Sequence, residues 1–450
     1  MKKSSLLGHA AEVVAIVRDG YRPADTVIAD FFRDRRYLGA RDRREISAMV
    51  FGTVRHYRRV DDLAAAAFAT VPDSGPRQRA CLMIAAYVLH LAGDTSADTP
   101  EALQEFLVTG LGPDAAPQVL EQLHGSTGTH DAAAFPAERI ARKRSFPDVI
   151  IREWVERWGE ADTDALAAAL NEQAPLSLRV NTLRGTVDQC RRVLADAGMS
   201  PAPGALSPFA LVLPRRIALD TLVPYRDGWF EMQDEGSQML SLLVHPEPGA
   251  TVIDACAGGG GKTLHLAALM ENRGHLVAVD TDERKLLNLV KRAERAGARV
   301  HAVLSPRRDE AVLRRYRGKA HAVLVDAPCS AIGTARRNPW LKMSYVQERS
   351  VQLAATQGVL LDAAAEWVAP GGRLVYSTCT LLQRENDDVV TRFLERHAAF
   401  SLQPAYEVLA RWGVAVGRAS PYLELFPHRH GTDGFFAAVM VREEAPASAR

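Results

Sequence analysis

The stretch Thr251-Val-Ile-Asp-Ala-Cys-Ala-Gly-Gly-Gly-Gly-Lys-Thr263 decides the fold. Thr251 to Ala255 reads as a buried strand, which breaks at glycine and gives way to the helix-forming run Leu264-His-Leu-Ala-Ala-Leu-Met270. Gly258, Gly259, Gly260 and Gly261 remove four successive Cβ atoms, so the backbone is free to take positive φ and a bulky ligand can touch the main chain. The amides that open the following helix point back over the loop. A ligand belongs there.

Two ligand classes compete for the loop. Gly261-Lys262-Thr263 looks like the end of a phosphate-cradling Walker motif, but the glycine that should open that motif is replaced by Cys256. A second apolar run, Leu276-Val-Ala-Val-Asp280, ends on an acid where a carboxylate grips a ribose at the end of strand two. The balance favours a nucleoside-bearing cofactor over a triphosphate. The glycines do not form a strict G-x-G-x-x-G loop, so spacing alone says no more than that.

Outward from this stretch, strands are expected at Thr251 to Ala255, Leu276 to Asp280, Val300 to Leu304, Ala322 to Asp326 and Arg373 to Thr378, with helical segments between them. Gly434 to Val441 supplies a late strand. This alternation predicts an α/β fold with a doubly wound parallel sheet whose ligands sit at the carboxyl ends of the strands. Cys256, Asp280, Asp326, Cys329 and Cys379 all fall at such ends.

The chain has 450 residues, 47% hydrophobic and 24% charged, enough for two or three domains with proper cores. No membrane span is expected, and His9 and Glu12 interrupt the signal-like opening Met-Lys-Lys-Ser-Ser-Leu-Leu. A cytoplasmic protein follows. The five cysteines (Cys81, Cys190, Cys256, Cys329, Cys379) show neither metal-ligand pairing nor a disulfide framework, so reduced thiols are expected and no metal. His428 and His430 read as structural or substrate-loop residues, because no further ligand stands at metal spacing. A net charge of +1 confines any nucleic-acid binding to local basic patches.

Residues 1–140 read as a helical domain. Within it Arg33, Arg35, Arg36, Tyr37, Arg41, Arg43, Arg44, Arg55, Tyr57, Arg58 and Arg59 form a basic run with interleaved aromatics. It is either an RNA-binding surface or a solvated helix face partly neutralised by Asp34, Asp42 and Glu45. Residues 141–245 are expected to hold helices and a small α+β insert, with Trp154 and Trp158 on one helix and short strands around Leu178 to Leu183 and Leu211 to Leu213. The cofactor domain is expected over 246–442, and residues 443–450 form a polar tail.

Asp326-Ala-Pro-Cys-Ser330 and Tyr376-Ser-Thr-Cys-Thr380 follow the fourth and fifth strands, so a carboxylate and two thiols converge beside the glycine loop. A lone cysteine reads as readily as a small buried hydrophobe. Two thiols at adjacent strand ends beside a nucleoside cofactor suit a soft nucleophile acting on an electron-poor ring. Asp326 as a Walker B acid fits poorly with Pro328 and Cys329 directly after it.

These stretches, together with Arg179-Val-Asn-Thr-Leu183, Gln233-Asp-Glu-Gly-Ser237, Arg336-Arg-Asn-Pro339, Glu385-Asn386 and Asp433-Gly-Phe-Phe436, resemble the RNA 5-methylcytosine methyltransferases of the Nop/Sun type, in particular the bacterial RsmB-like ribosomal RNA enzymes. The likeness covers the chain from about Arg142 to Val441. Leu38 to Arg44 and Phe51 to Arg55 are similar, more weakly, to the helical NusB-like domain of that branch. The resemblance implies a Rossmann-like methyltransferase sheet preceded by an all-helical NusB-like domain and a small α+β insert. It further implies S-adenosylmethionine bound by Cys256, Ala257, the four glycines and Lys262, with Asp280 on the ribose and Asp326 near the methyl-transfer end. The sequence departs from the family at Gly258-Gly259, where Ala-Pro is usual and the loop is expected to loosen, and at Ser305 to Asp309, where the adenine-side acid is displaced.

Carried over to these positions, Cys379 adds to C6 of cytosine, Asp326 and Lys262 hold the cytosine edge, and Cys329 assists removal of the C5 proton and release of the enzyme. Lys262 has a duller alternative as a solvent-facing helix start. The expected partner is RNA, most simply ribosomal, with the protein a monomer; a transfer RNA substrate and a non-catalytic RNA-binding assembly protein of the same fold are the alternatives. Titration calorimetry is expected to show binding of S-adenosylmethionine and none of ATP. Tight magnesium-dependent ATP binding with no affinity for S-adenosylmethionine would overturn the reading of the loop.

Overall fold

A computed structural model describes residues 1–19, 22–71, 75–93, 96, 98–126, 135–214, 221–304 and 313–444. They divide into two compact units: Met1–Gln173 with Thr334–Val346, and Ala174–Gly333 with Gln347–Arg450. Ser305 to Asp309 and the tail from residue 445 lie outside the described residues. Among the described residues, no helix is long and apolar enough to cross a membrane.

The first unit is helical. Leu6, Leu7, Ala10, Ala11, Val13, Val14 and Val17 form one buried stripe of the helix Lys3–Asp19, the spacing that a core-facing helix requires. Further helices close around it, including Ala24–Asp34, Ala40–Arg55, Tyr57–Thr70 and Pro76–His90. Gly52 permits the approach of two of them, since a Cβ there would stand 2.1 Å from the Tyr87 ring.

The arginine run lies here, and much of it is bonded within the unit. Arg33 pairs with Asp30, and Arg41 with Glu45. Arg35 pairs with Glu12 and lies over the Phe31 ring. Arg43 donates to the carbonyls of Leu38 and Phe32, and Arg58 to Phe146 and Asp148. Part of the run is therefore engaged within its own unit, while Arg33 and Arg41 stay largely exposed in their pairs. Arg36 and Arg44 are exposed and make no bond to another described residue.

Thr334–Val346 belongs to this unit although its sequence follows the strand that ends at Asp326. Trp340 and Met343 pack on the helical core. Lys342 is fully buried, and its Nζ donates to the carbonyl of Arg55 (2.6 Å), to Asn171 Oδ1 (2.6 Å) and to the carbonyl of Arg144 (3.4 Å), with the Phe146 ring 4.5 Å away. Arg55 also donates to the carbonyl of Arg336.

The second unit opens with a small antiparallel sheet of β1 (Leu176–Val180), β2 (Ala202–Pro203), β3 (Ala210–Leu213) and β4 (Phe230–Met232), in the order β2-β3-β1-β4. The large sheet follows: β5 (Thr251–Asp254), β6 (His275–Asp280), β7 (His301–Leu304), β8 (Ala320–Asp326), β9 (Val368–Thr378), β10 (Phe400–Gln403), β11 (Leu423–Leu425) and β12 (Phe435–Arg442). Its order is β10-β12-β9-β8-β5-β6-β7, with β11 paired to β12. The five strands from β5 to β9 are parallel, as expected, but β12 pairs antiparallel with β9 and with β10, so the sheet is mixed rather than wholly parallel. Strand order reverses between β5 and β8, which opens a crevice at their carboxyl ends.

Alternate residues of the strands face opposite layers. Ile253, Val323, Val325 and Leu374 enter one core, and Val252, Ala322, Leu324 and Val375 enter another beneath the helix Glu235–Val244. Both faces are covered, which is why these strands read as continuous apolar runs.

Lys342→Met leaves three buried acceptors without their donor and is expected to destabilise the helical unit by about 2–4 kcal/mol. A melting temperature within about 1 °C of wild type, followed by helical signal, would show that the lysine does not hold Thr334–Val346 in place.

Candidate active site

β5 ends at Asp254, and the chain passes through Ala255 to Gly260 into the helix Gly261–Leu269. Gly258 and Gly260 have φ of 53° and 85°, the left-handed region that glycine enters at little cost. A Cβ on Gly260 would stand 2.7 Å from Leu289, whereas the space beside Gly258 and Gly261 is open. The loosening expected from Gly258-Gly259 is offset by hydrogen bonds. The amides of Ala257, Gly258 and Gly260 donate to Val279 O, Asp280 Oδ2 and Ala257 O at 2.8–2.9 Å. Arg292 donates to the carbonyl of Gly259 and is itself paired with Glu231, which is buried on β4.

Asp280 closes the loop from the neighbouring strand. Its second oxygen accepts the amide of Asp282 at 2.8 Å. A carboxylate offers about four lone-pair sites, so acceptor capacity remains for a ribose diol. Open space at Gly258, a half-buried acid at the end of β6 and the first turn of a nine-residue helix together fit a nucleoside cofactor.

Lys262 points into the protein. Its side chain is 12% exposed, and Nζ lies 2.5 Å from Asp326 Oδ2 at the end of β8. Burial works to lower its pKa, but the Asp326 charge and hydrogen bond prevail and the ammonium is held above its ordinary range. Ser377 Oγ donates to the other Asp326 oxygen at 3.2 Å. The solvent-facing alternative for Lys262 is therefore wrong.

The two thiols meet: Cys329 Sγ and Cys379 Sγ are 3.4 Å apart, each partly exposed. The register that pairs Asp326 with Ser377 delivers both loops to the same level. Cys256 differs. Burial, followed by the charges of Asp254, Asp326 and Asp280, pushes its thiol far up, so it belongs to the loop as a neutral side chain. Burial likewise raises Cys81 to about 11 and Cys190 to about 12.

Several supports were missed in the sequence. Arg179 is fully buried and donates to Gln233 Oε1 and to the carbonyl of Gly261, tying β1 to the first turn of the cofactor helix. Asn181 donates to the carbonyls of Gly228 and Ala296 at 2.8 Å. Glu385 and Asn386 bond to the loops of both cysteines. The motif letters were visible, but nothing in their spacing gave their partners. His430 accepts the amide of Phe426 and caps the short turn Pro427–His430, which gives it a structural place.

Comparison with known proteins agrees with this geometry. Residues 241–441 match the family model for 16S rRNA methyltransferase RsmB/F, and residues 146–220 match the ferredoxin-like domain of the same group. The probable ribosomal RNA small subunit methyltransferase B of Bacillus subtilis is 32% identical over 321 residues, 69% of each chain. That of Synechocystis is 32% identical over 300 residues, 66% of this chain and 67% of the relative. The crystal structure of PH0851 superposes over 98% of this chain and 99% of its own, with TM-score 0.77 and 26% identity. NSun6 from Pyrococcus horikoshii, with TM-score 0.59 and 21% identity, shares the fold over 67% of this chain and all of its own.

Asp254, at the root of the loop, yields a pH signature. Burial raises its carboxyl to about 7, against the hydrogen bond from Thr263 at 2.7 Å. The unfolded chain ionises at about 4, so between these values the folded state holds the extra proton and stability falls as pH rises. Cofactor-free protein should lose about 2 kcal/mol from this group between pH 5 and 8, and Asp254→Asn should abolish that loss in denaturant titrations. Equal pH dependence in both proteins would show that Asp254 is already ionised in the fold.

Proposed function

The chain belongs to the RsmB/F family of S-adenosylmethionine-dependent RNA cytosine-C5 methyltransferases, and on that premise we propose that it methylates small-subunit ribosomal RNA through a covalent adduct with Cys379. The observation that carries this reading is the contact between Cys329 and Cys379 beside the Lys262–Asp326 pair. Its domain division, with boundaries near residues 140, 245 and 442, belongs to the same proposal.

Cytosine C5 is a poor nucleophile until something adds at C6. The Cys379 thiolate forms the Sγ–C6 bond, and the π pair of C5=C6 moves onto C5. Lys262 and Asp326 hold the polar edge of the base, and the ammonium offsets the charge that collects in the ring. The bound cofactor supplies the electrophilic methyl group that this carbon pair takes up. The C5 proton then passes to solvent, its bonding pair rebuilds C5=C6, and the Cys379 thiolate is expelled. Cys329, 3.4 Å from Cys379, assists removal of the C5 proton and release of the enzyme.

The residues that would hold S-adenosylmethionine are those of the loop from Cys256 to Lys262, with Asp280 at the ribose. The names of the relatives favour ribosomal RNA over transfer RNA. Bisulfite mapping of both RNA pools from a deletion strain distinguishes the two. A lost mark confined to transfer RNA would overturn the ribosomal assignment.

The two cysteines are expected to give opposite phenotypes. Cys379→Ala removes the group that adds to C6, so neither methylation nor adduct forms. Cys329→Ala permits addition and methyl transfer but slows release, so protein accumulates joined to labelled RNA as a retarded band on a denaturing gel. Trapping by the Cys379 variant in place of the Cys329 variant would reverse the roles, and full activity of both would remove the covalent mechanism.

A further inference from the structure

A cavity of about 430 Å³ lies at the amino ends of β6 and β7, the edge of the large sheet opposite the cofactor loop. Its polar lining is His275 at the start of β6, His301 at the start of β7, Arg299 two residues earlier, and Arg315 and Tyr316 from the chain ahead of β8. Glycine and aliphatic residues make up the rest, so the lining holds no carboxylate. Sheet register puts both imidazoles on one face. His275 stands two residues from Val277, and Val277 is the partner of His301 across the parallel pair. Tyr316 packs against the core of that same face, beside Val277 and Val303.

The cations of this cavity have no partner of their own. Arg299, Arg315, His275 and His301 are exposed, and their side chains make no hydrogen bond or ion pair with another described residue. Cations nearby are engaged. Arg317, from the same run Arg314-Arg315-Tyr316-Arg317-Gly318-Lys319, pairs with Glu366 at 2.6 Å, and Arg273 pairs with Glu271 at 2.7 Å. His321 accepts the amide of Thr251 at 3.0 Å. A larger cavity, of about 540 Å³, also holds arginines, but Arg317 and Arg396 there are paired with Glu366 and Asp362, which line it as well. Guanidinium forks match the oxygens of a phosphate, and each imidazole brings at least one N–H or a free nitrogen to the same space. Arg314 and Lys319, both exposed, carry the positive run beyond the cavity, which suits a chain of phosphates better than a single anion.

We propose that this cavity is a further RNA contact, one that holds the sugar-phosphate backbone of the substrate at nucleotides remote from the target cytosine. The proposal rests on RNA as the substrate, though not on which RNA carries the target. β6 is six residues long, so the cavity lies about 17 Å from the Asp280 end of the strand, where the cofactor loop sits. The nucleotides held here are therefore not the one being methylated. Their contacts go to phosphates and carry no sequence information; they supply affinity and hold a folded RNA while its target enters the crevice at the carboxyl ends.

Binding of full-length protein to a 16S rRNA transcript is measured by filter retention over a salt series. The double variant Arg299→Ala/Arg315→Ala should bind about tenfold more weakly near physiological salt, and its slope of log K against log salt should be shallower by about 1.5. Its affinity for S-adenosylmethionine, followed by calorimetry, should equal that of wild type, which also reports that the variant is folded. Arg396→Ala, which removes a paired arginine from the other cavity, should move the slope less than half as far. Ultraviolet cross-linking of the wild-type complex, read by peptide mass spectrometry, should place a nucleotide adduct on the peptide that contains Tyr316. A wild-type slope in the double variant, an equal change in Arg396→Ala, or adducts confined to other peptides would each overturn the proposal. Those results would leave the RNA reading intact, whereas a wild-type protein that fails to bind the transcript and a transfer RNA transcript alike would remove that reading and this site with it.

Discussion

The reactive centre depends on the register of two parallel strands. β8 pairs with β9 so that Asp326 faces Ser377. Cys329 and Cys379 leave neighbouring strands only a few residues later and arrive at one level. A slip of one residue would turn Asp326 and Ser377 to the opposite face of the sheet and separate the sulfurs. That slip is resisted by the cores on both faces, where Val323, Val325, Leu374 and Tyr376 alternate with Ala322, Leu324 and Val375. The hydrophobic pattern of the sheet therefore sets the distance between the two sulfurs.

The cofactor loop has a different kind of support. Its glycines give it the required backbone conformation, and two arginines, the fully buried Arg179 and the partly buried Arg292, keep it there. Arg179 reaches the carbonyl of Gly261 from β1, and Arg292 reaches that of Gly259 under the control of Glu231 on β4. Burial lowers Arg179 to about 9, which still leaves it charged at neutral pH. A buried guanidinium is stabilising only while its acceptors stay in place. The small antiparallel sheet is thus part of the cofactor site through hydrogen bonds to the loop backbone.

Much of this was legible in the sequence. Continuous apolar runs ending in Asp254, Asp280 and Asp326 announce parallel strands with polar ends, and the two cysteine contexts fall at strand ends that meet. Other features were not legible, for physical reasons. Gly434 to Val441 reads as a strand, but apolar pattern carries no neighbour identity, so its antiparallel place between β9 and β10 could not be read. Arg292 and Glu231 are 61 residues apart, and nothing local to either points to the other. In the arginine run, charge density does not reveal that Arg43 and Arg58 bond to backbone carbonyls within their own unit. In the Gln233 to Ser237 stretch, Asp234 caps a helix and accepts the amide of Asp433, while Glu235 accepts the amides of Ala205, Leu206 and Ser207.

Gly333 explains how the chain can leave this centre without disturbing it. The excursion Thr334–Val346 starts immediately after it and belongs to the helical unit. Gly333 donates its amide to the carbonyl of Cys379 (3.0 Å) and accepts the amide of Gly434 (2.8 Å). A Cβ there would stand 2.3 Å from the carbonyl oxygen of Gly434 and 2.8 Å from that of Cys379, so no other residue fits without moving the backbone at Cys379. The two bonds clamp the chain between Cys329 and the excursion. The Arg336-Arg-Asn-Pro339 motif can therefore stay close in sequence to Cys329 while its structural duties, through Arg336 and Lys342, lie within the helices.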